Sequence, residues 1–376
     1  MIIKIINDQM NLIGSGGQHR ILSFAEALHR VGVKVVLVTP YFKVDYDHFK
    51  NNFHKFYIDR EYLYSNKNKM KFMFDNTIRL LLNELDDEPP DAYIIGLPVP
   101  LLRGLVRRVA IFRKIPYIVD FGDPWFSPGD PLLWRWLMDS YLVKLLKEAP
   151  AITVPNRWFR AHLKTMISNM SILEKIHIVY PAALYIINSS VVDERDYSIM
   201  KFVHLGGVPP TLVENIINMF KNIYYKRKIN IEFTIIGDQK SKDLLEQRVR
   251  EKGLGSVVRL SYSPPVSRDK VYELIKHHHF GLSVHEGLYW KPINELKIID
   301  YLASGLIVVS TLKTDLLIEN INSIFSNDLS DVHEKIPYDK EKLIEMSLNG
   351  LLTTRNCCHI YKVSKRIITI INKILN

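Results

Sequence analysis

Short, continuous runs of Val and Ile punctuate this chain at regular intervals, and each is followed by a stretch with helical spacing. Residues 2–6 (IIKII), 33–40 (VKVVLVTP), 91–97 (DAYIIGL), 115–121 (IPYIVDF), 151–155 (AITVP) and 176–180 (IHIVY) read as strands. They are continuous Val/Ile-rich runs instead of alternating ones, as expected when helices cover both faces of a sheet. Between them, RILSFAEALHRVG places Ile21, Phe24, Ala25 and Leu28 on one helical stripe, and LLRGLVRRVAIFRK reads as a basic helix. This alternation specifies a doubly wound parallel α/β sheet.

The pattern pauses at 181–200 (PAALYIINSSVVDERDYSIM), which has no clear period and reads as an interdomain connection. It then resumes with KFVHLGG, IEFTIIGD, VVRLSYS, FGLSV, LIVVST and SIFS as strands, and closes in helical segments from about 340 to 376. At 376 residues the chain suits two domains,. The expected division is an N-terminal domain over 1–185, a C-terminal domain over 186–355, and a terminal helix over 356–376 that packs back on the first domain.

In open α/β sheets ligands bind beyond the carboxyl ends of the strands, so the strand-to-helix turns hold the candidate chemistry. After the first strand, NLIGSGGQHR offers Gly14, Gly16, Gly17 and Arg20 for close approach to an anion at a helix N-terminus,. A dinucleotide fingerprint fails there, because His19 takes the place of the last glycine and the second strand ends without an acid,. VDFGDPWFSPGDP places Asp120 and Asp123 at a strand end, where carboxylates can serve as base, hydroxyl ligand or helix cap,. HLGGVPP and IIGDQKSK set Gly206, Gly207 and Gly237 at strand ends, with Lys240 close behind,. SVHEGLYWKPINELK adds His285, Glu286, Lys291, Glu295 and Lys297. If Asn294 caps the next helix, its free N–H groups and Lys297 form an anion pocket, and Asp300 lies one turn along the same face, suited to ribose hydroxyls,. The plainer alternative is a solvated Lys297–Asp300 ion pair.

The stretch LKIIDYLASGLIVVST (296–311) resembles the Lys, two residues, acid, two residues, Ala, any residue, Gly, then strand pattern of the retaining family-4 glycosyltransferases of GT-B fold. The paired glycines after the first strand, DFGDPW and IIGD are similar to that family as well. The resemblance implies two Rossmann-like domains whose parallel sheets face each other across a cleft, and sugar transfer from a nucleotide diphosphate, UDP- or GDP-linked, to a hydroxyl acceptor on a glycan, lipid or protein. It further implies retention of configuration, no metal and no cofactor. By position, Asp300 would hold the ribose and Lys297 the diphosphate. Gly16 and Gly17 would approach the donor phosphate or the acceptor, and Asp120 or Asp123 the transferred sugar. The chain departs from the family in two places. The earlier acid, eight positions before Asp300, falls on Pro292, leaving Glu286 or Glu295 to replace it. The basic pair after the first strand of the second domain is missing from GGVPPTLVEN. A catalytically silent nucleotide- or polyanion-binding relative and a nucleotide-sugar epimerase are the alternatives.

Other features carry less. The HHH at 277–279 lacks companion ligands for a metal, and DYD at 45–47 sits in a polar loop,. The adjacent Cys357 and Cys358 cannot form an ordinary disulfide with each other, which favours a reduced, cytoplasmic chain,. The N-terminus turns polar too soon for a signal peptide, and no apolar run approaches the ~20 residues of a membrane span. A net charge of +10 favours an anionic partner, but the basic residues are dispersed and no nucleic-acid motif occurs,. Arg103, Arg107, Arg108, Arg113 and Lys114 form a basic face that would dock on a membrane surface if the acceptor is lipid-linked,.

Overall fold

The computed structural model describes residues 1–6, 16–38, 89–97, 101–122, 144–166, 170–266, 268–285 and 296–375. The chain divides into two units, Met1–Ala182 with Ile360–Asn376, and Ala183–His359.

In the first unit β1 (Ile2–Ile6), α1 (Gly16–His29), β2 (Lys34–Val38), β3 (Ala92–Leu97), α2 (Leu101–Phe112), β4 (Tyr117–Phe121), β5 (Ala151–Val154), α3 (Arg157–Met166) and β6 (Ile176–Ile178) follow in order. The strands form a parallel sheet ordered β2-β1-β3-β4-β5-β6. Strand order therefore reverses between β1 and β3.

The second unit contains β7 (Met200–Gly206), α4 (Val213–Arg227), β8 (Ile231–Gly237), α5 (Gln239–Glu251), β9 (Val258–Ser263), α6 (Arg268–Ile275), β10 (Phe280–Ser283), α7 (Leu296–Ala303), β11 (Ile307–Ser310), β12 (Ser323–Phe325) and α8 (Lys340–Cys357). Its parallel sheet is ordered β12-β11-β10-β7-β8-β9, with the reversal between β10 and β7.

Burial follows the strand composition. Ile3, Ile5 and Ile6 of β1, all of β4 and β5, and every residue of β10 and β11 are withdrawn from water. The last helix, α9 (Ile360–Leu375), returns to the first unit. Its Val363, Ile367, Ile370 and Ile371 join Phe24, Leu28 and Val33 in one apolar cluster around α1.

The aperiodic connection is tied to the second unit. Ile187 N–H donates to Ala303 O at 3.0 Å, and the guanidinium of Arg195 donates to Ser304 O (2.6 Å), Gly305 O (2.5 Å) and Lys276 O (2.8 Å). These are the orphan carbonyls at the ends of α6 and α7, which a cation caps favourably. Burial pushes the Arg195 guanidinium down to about 10, an effect that the nearby Tyr197 hydroxyl opposes only in part,. Gly305 (φ +60°) turns the chain there, and a Cβ on it would meet Val192 Cγ2 at 2.8 Å,.

Candidate functional site

The second sheet opens where its strand order reverses. β7 pairs with β10 only at Phe202–Phe280 and Val203–Gly281. Beyond those pairs the gap is bridged by side chains. Leu205 N–H donates to the Tyr301 hydroxyl at 2.9 Å, which donates to Leu282 O at 3.2 Å. The imidazole of His204, fully buried, places Nδ1 3.0 Å from Leu282 O and Nε2 3.1 Å from Gly207 O. A split between parallel strands at a reversal point is where α/β sheets receive ligands.

Backbone turns line this split. Gly206 (φ +88°) and Gly237 (φ +114°) end neighbouring strands in register, both in a conformation that side chains rarely adopt,. Asp238 caps α5 by accepting from Ser241 N–H at 3.1 Å, and Ser241 Oγ accepts from Val208 N–H at 2.8 Å,. The Gly206–Val208 turn is thereby tied to the start of α5, whose first turn carries the exposed Lys240. On α7, Lys297 is half-buried and Asp300 is 6% exposed. Asp300 Oδ1 accepts from the buried Tyr272 hydroxyl at 2.6 Å. Tyr301, the next residue, lies flat on β10, and a Cβ on Gly281 would meet its ring at 2.3 Å.

The first unit handles its candidate residues differently. Gly16 and Gly17 form the first turn of α1. Arg20 and Asp120, expected as open ligands at two separate turns, instead bind each other: Nε lies 3.0 Å from Oδ2 and Nη2 2.8 Å from Oδ1. Thr153 donates to Oδ1 at 2.6 Å, and Arg20 Nη1 donates to Val179 O at 2.6 Å. Arg20 and Asp120 are 3% and 2% exposed. A carboxylate so enclosed has no access to a hydroxyl substrate, so the pair is a foundation. Gly122 rests on it, since a Cβ there would stand 3.2 Å from Arg20 Cδ. Asp123, Glu286 and Glu295 lie outside the described residues, as do Gly14, Lys291, Asn294 and the DYD at 45–47.

The secondary features resolve as packing. His278 Nε2 bonds Thr234 Oγ1 at 2.8 Å, and His279 Nδ1 accepts from Lys201 N–H at 3.0 Å while its ring stacks on Tyr197. Among the described residues no group of three or more His, Cys, Asp or Glu could hold a metal ion, and no helix is long and apolar enough to cross a membrane. On the basic helix, Arg107 pairs with Glu148, Arg108 is exposed, and Phe112 is 86% exposed.

Tyr272, His204, Arg195 and Thr153 were not singled out from sequence. Tyr272 lies 28 residues from Asp300, and only the fold brings them together. His204 had a local signal, since it lies two residues before the Gly206–Gly207 turn.

Residues 14–183 match the family model described as Glycosyltransferase Family 4. No curated protein matches the chain in sequence. Solved structures are similar in fold. HepE of Anabaena, determined with UDP and glucose, superposes with a TM-score of 0.70 at 10% identity, covering 99% of this chain and 100% of that one. A glycosyltransferase of Rickettsia africae gives 0.67 at 12% identity over 100% and 98%. The pneumococcal O-GlcNAc transferase GtfA, determined with UDP and GlcNAc, gives 0.67 at 10% identity over 100% and 99%.

Proposed function

We propose that this chain, of GT-B fold and with residues 14–183 matching Glycosyltransferase Family 4, is a glycosyltransferase that moves a sugar from a nucleotide diphosphate onto a hydroxyl acceptor with retention of configuration. The observation that carries the donor site is the split between β7 and β10, flanked by the Gly206–Gly207 turn and by α7 with Asp300. In this reading Asp300 accepts hydrogen bonds from the ribose hydroxyls, and the Tyr272 hydroxyl holds one of its oxygens in place. Lys297 and the N–H groups at the start of α7 face the diphosphate and stabilise it as it leaves, a preorganised electrostatic contribution that needs no metal. UDP is the favoured nucleotide, because HepE and GtfA were both determined with it. By the family resemblance, the acceptor, a glycan or a lipid-linked hydroxyl, belongs to the first unit. A lipid-linked acceptor would make the Phe112 end of α2 a contact with a membrane surface.

Calorimetric titration with UDP, GDP, CDP and ADP tests the donor site. One nucleotide should bind selectively, and Asp300→Ala should weaken it about 10- to 100-fold, the worth of hydrogen bonds to a charged acceptor. Equal affinity in Asp300→Ala would remove the ribose assignment, and binding of none of the four would favour the silent relative. The anomeric configuration of the first-formed product, read by NMR, decides retention.

A further inference from the structure

The turn that should face the donor's diphosphate, GGVPPTLVEN, contains no Lys or Arg. Directly beneath it lies a buried histidine whose two ring nitrogens both face carbonyl oxygens: Nδ1 at 3.0 Å from Leu282 O on β10, and Nε2 at 3.1 Å from Gly207 O in the turn itself. A carbonyl oxygen only accepts. A neutral imidazole has one N–H, so it can serve one of these oxygens and must turn a lone pair on the other. An imidazolium serves both.

We propose that His204 is a cation of this donor site, an imidazolium held between the Leu282 and Gly207 carbonyls that adds its positive charge to that of Lys297 for a nucleoside diphosphate lying over Gly206–Gly207. Complete burial opposes the charge, while two carbonyl acceptors and a bound polyanion favour it,. The ring therefore takes or keeps its proton most firmly when the diphosphate is present. The ionisable side chains on the elements around it include Lys201 on β7 itself, Glu232 on β8, Asp238, Lys240 and Lys242 at the start of α5, His285 beyond β10, and Lys297, Asp300 and Tyr301 on α7. Of these, Tyr301 shares Leu282 O with the ring, and Asp238 Oδ2 stands 3.4 Å from the position of a Cβ on Gly207. Neither of those two adds positive charge. The inference rests on the donor site proposed above and adds to it a residue in the place of the absent basic pair.

The test compares a nucleoside diphosphate with its own nucleoside. For whichever of UDP, GDP, CDP and ADP binds, His204→Gln should lower diphosphate affinity about 10- to 100-fold and leave the nucleoside's affinity unchanged, because only the diphosphate senses the charge. Wild-type affinity should fall relative to the variant as rising pH removes the imidazolium proton, and comparison with the variant cancels the ligand's own titration. Nitrogen NMR of the wild-type complex should show both His204 nitrogens protonated, which keeps the test open if the variant does not fold. Equal loss of diphosphate and nucleoside binding would mark His204 as purely structural and overturn the inference. Undiminished diphosphate binding in the variant, or a neutral ring in the complex, would overturn it and leave the donor site standing. If no nucleotide binds and inorganic pyrophosphate leaves the His204 signals unmoved, inference and donor site fall together.

Discussion

Breaking the Arg20–Asp120 pair should unfold the first unit far more easily than removing the pair altogether. Each partner is almost fully buried, and the guanidinium meets the carboxylate through both Nε and Nη2. Asp120→Leu strands a cation whose remaining described acceptor is Val179 O, although its face-on contact with Phe24 persists, and it deprives Thr153 Oγ1 of its acceptor. An uncompensated buried charge costs about 3–5 kcal/mol, and the orphaned hydroxyl adds roughly 1 kcal/mol. Arg20→Met leaves the carboxylate with Thr153 alone, at a similar cost of about 3–5 kcal/mol. The double variant Arg20→Met/Asp120→Leu contains no buried charge and should be more stable than either single variant, giving a coupling energy of at least ~2 kcal/mol. Urea unfolding followed by tryptophan fluorescence suits the measurement, since Trp125, Trp134, Trp136 and Trp158 belong to the first unit and only Trp290 to the second. The single-variant losses should change little in ~1 M salt, because a buried pair is poorly screened. Losses below about 1 kcal/mol in the single variants, or a double variant that merely sums them, would refute the pair as the foundation of the end of β4.

Two further outcomes follow from the second unit. Gly281→Ala places a Cβ 2.3 Å from the Tyr301 ring, so it should destabilise this unit by about 3 kcal/mol and abolish nucleotide binding, since α7 must shift. A wild-type melting temperature for that variant would disprove the flat packing. Acid should act on the same unit through His279, which burial holds at about 3, with the nearby Arg195 and Lys201 opposing its charge. Its ordinary value is about 6.5, so the unfolded chain takes up the proton first. Stability is therefore complete above pH ~6.5 and falls by several kcal/mol as pH drops toward ~3. Identical unfolding midpoints by circular dichroism at about pH 7 and 4.5 would rule this out.

The described strands were readable, because most are Val- and Ile-rich runs bounded by Gly, Pro or polar residues, with isolated polar residues such as Lys4 and His204 inside them and the mixed VRLSYS of β9 as the exception. IIKII, AYIIGL and IVVS are unambiguous once both sheet faces are assumed covered. The turns were readable too, since Gly206 and Gly237 mark positive φ at strand ends. Side-chain partnerships across the fold were not. Arg20 and Asp120 are 100 residues apart, Tyr272 and Asp300 are 28, and Arg195 and Gly305 are 110. A local pattern records periodicity and turn chemistry, because those act over a few residues. It does not record which buried charge meets which, because that depends on how the strands are ordered.

By itself, then, the sequence determined two doubly wound parallel sheets, the turns at their carboxyl ends, and a Lys297–Asp300 helix beside one of them. Only the tertiary structure decided what those residues do. It buries Asp120 against Arg20, fastens Asp300 to Tyr272, and suspends His204 between two carbonyls at the point where strand order reverses. The physical reason is that a buried polar group must find a partner wherever the fold supplies one, and the fold supplies it through space, without regard to distance along the chain.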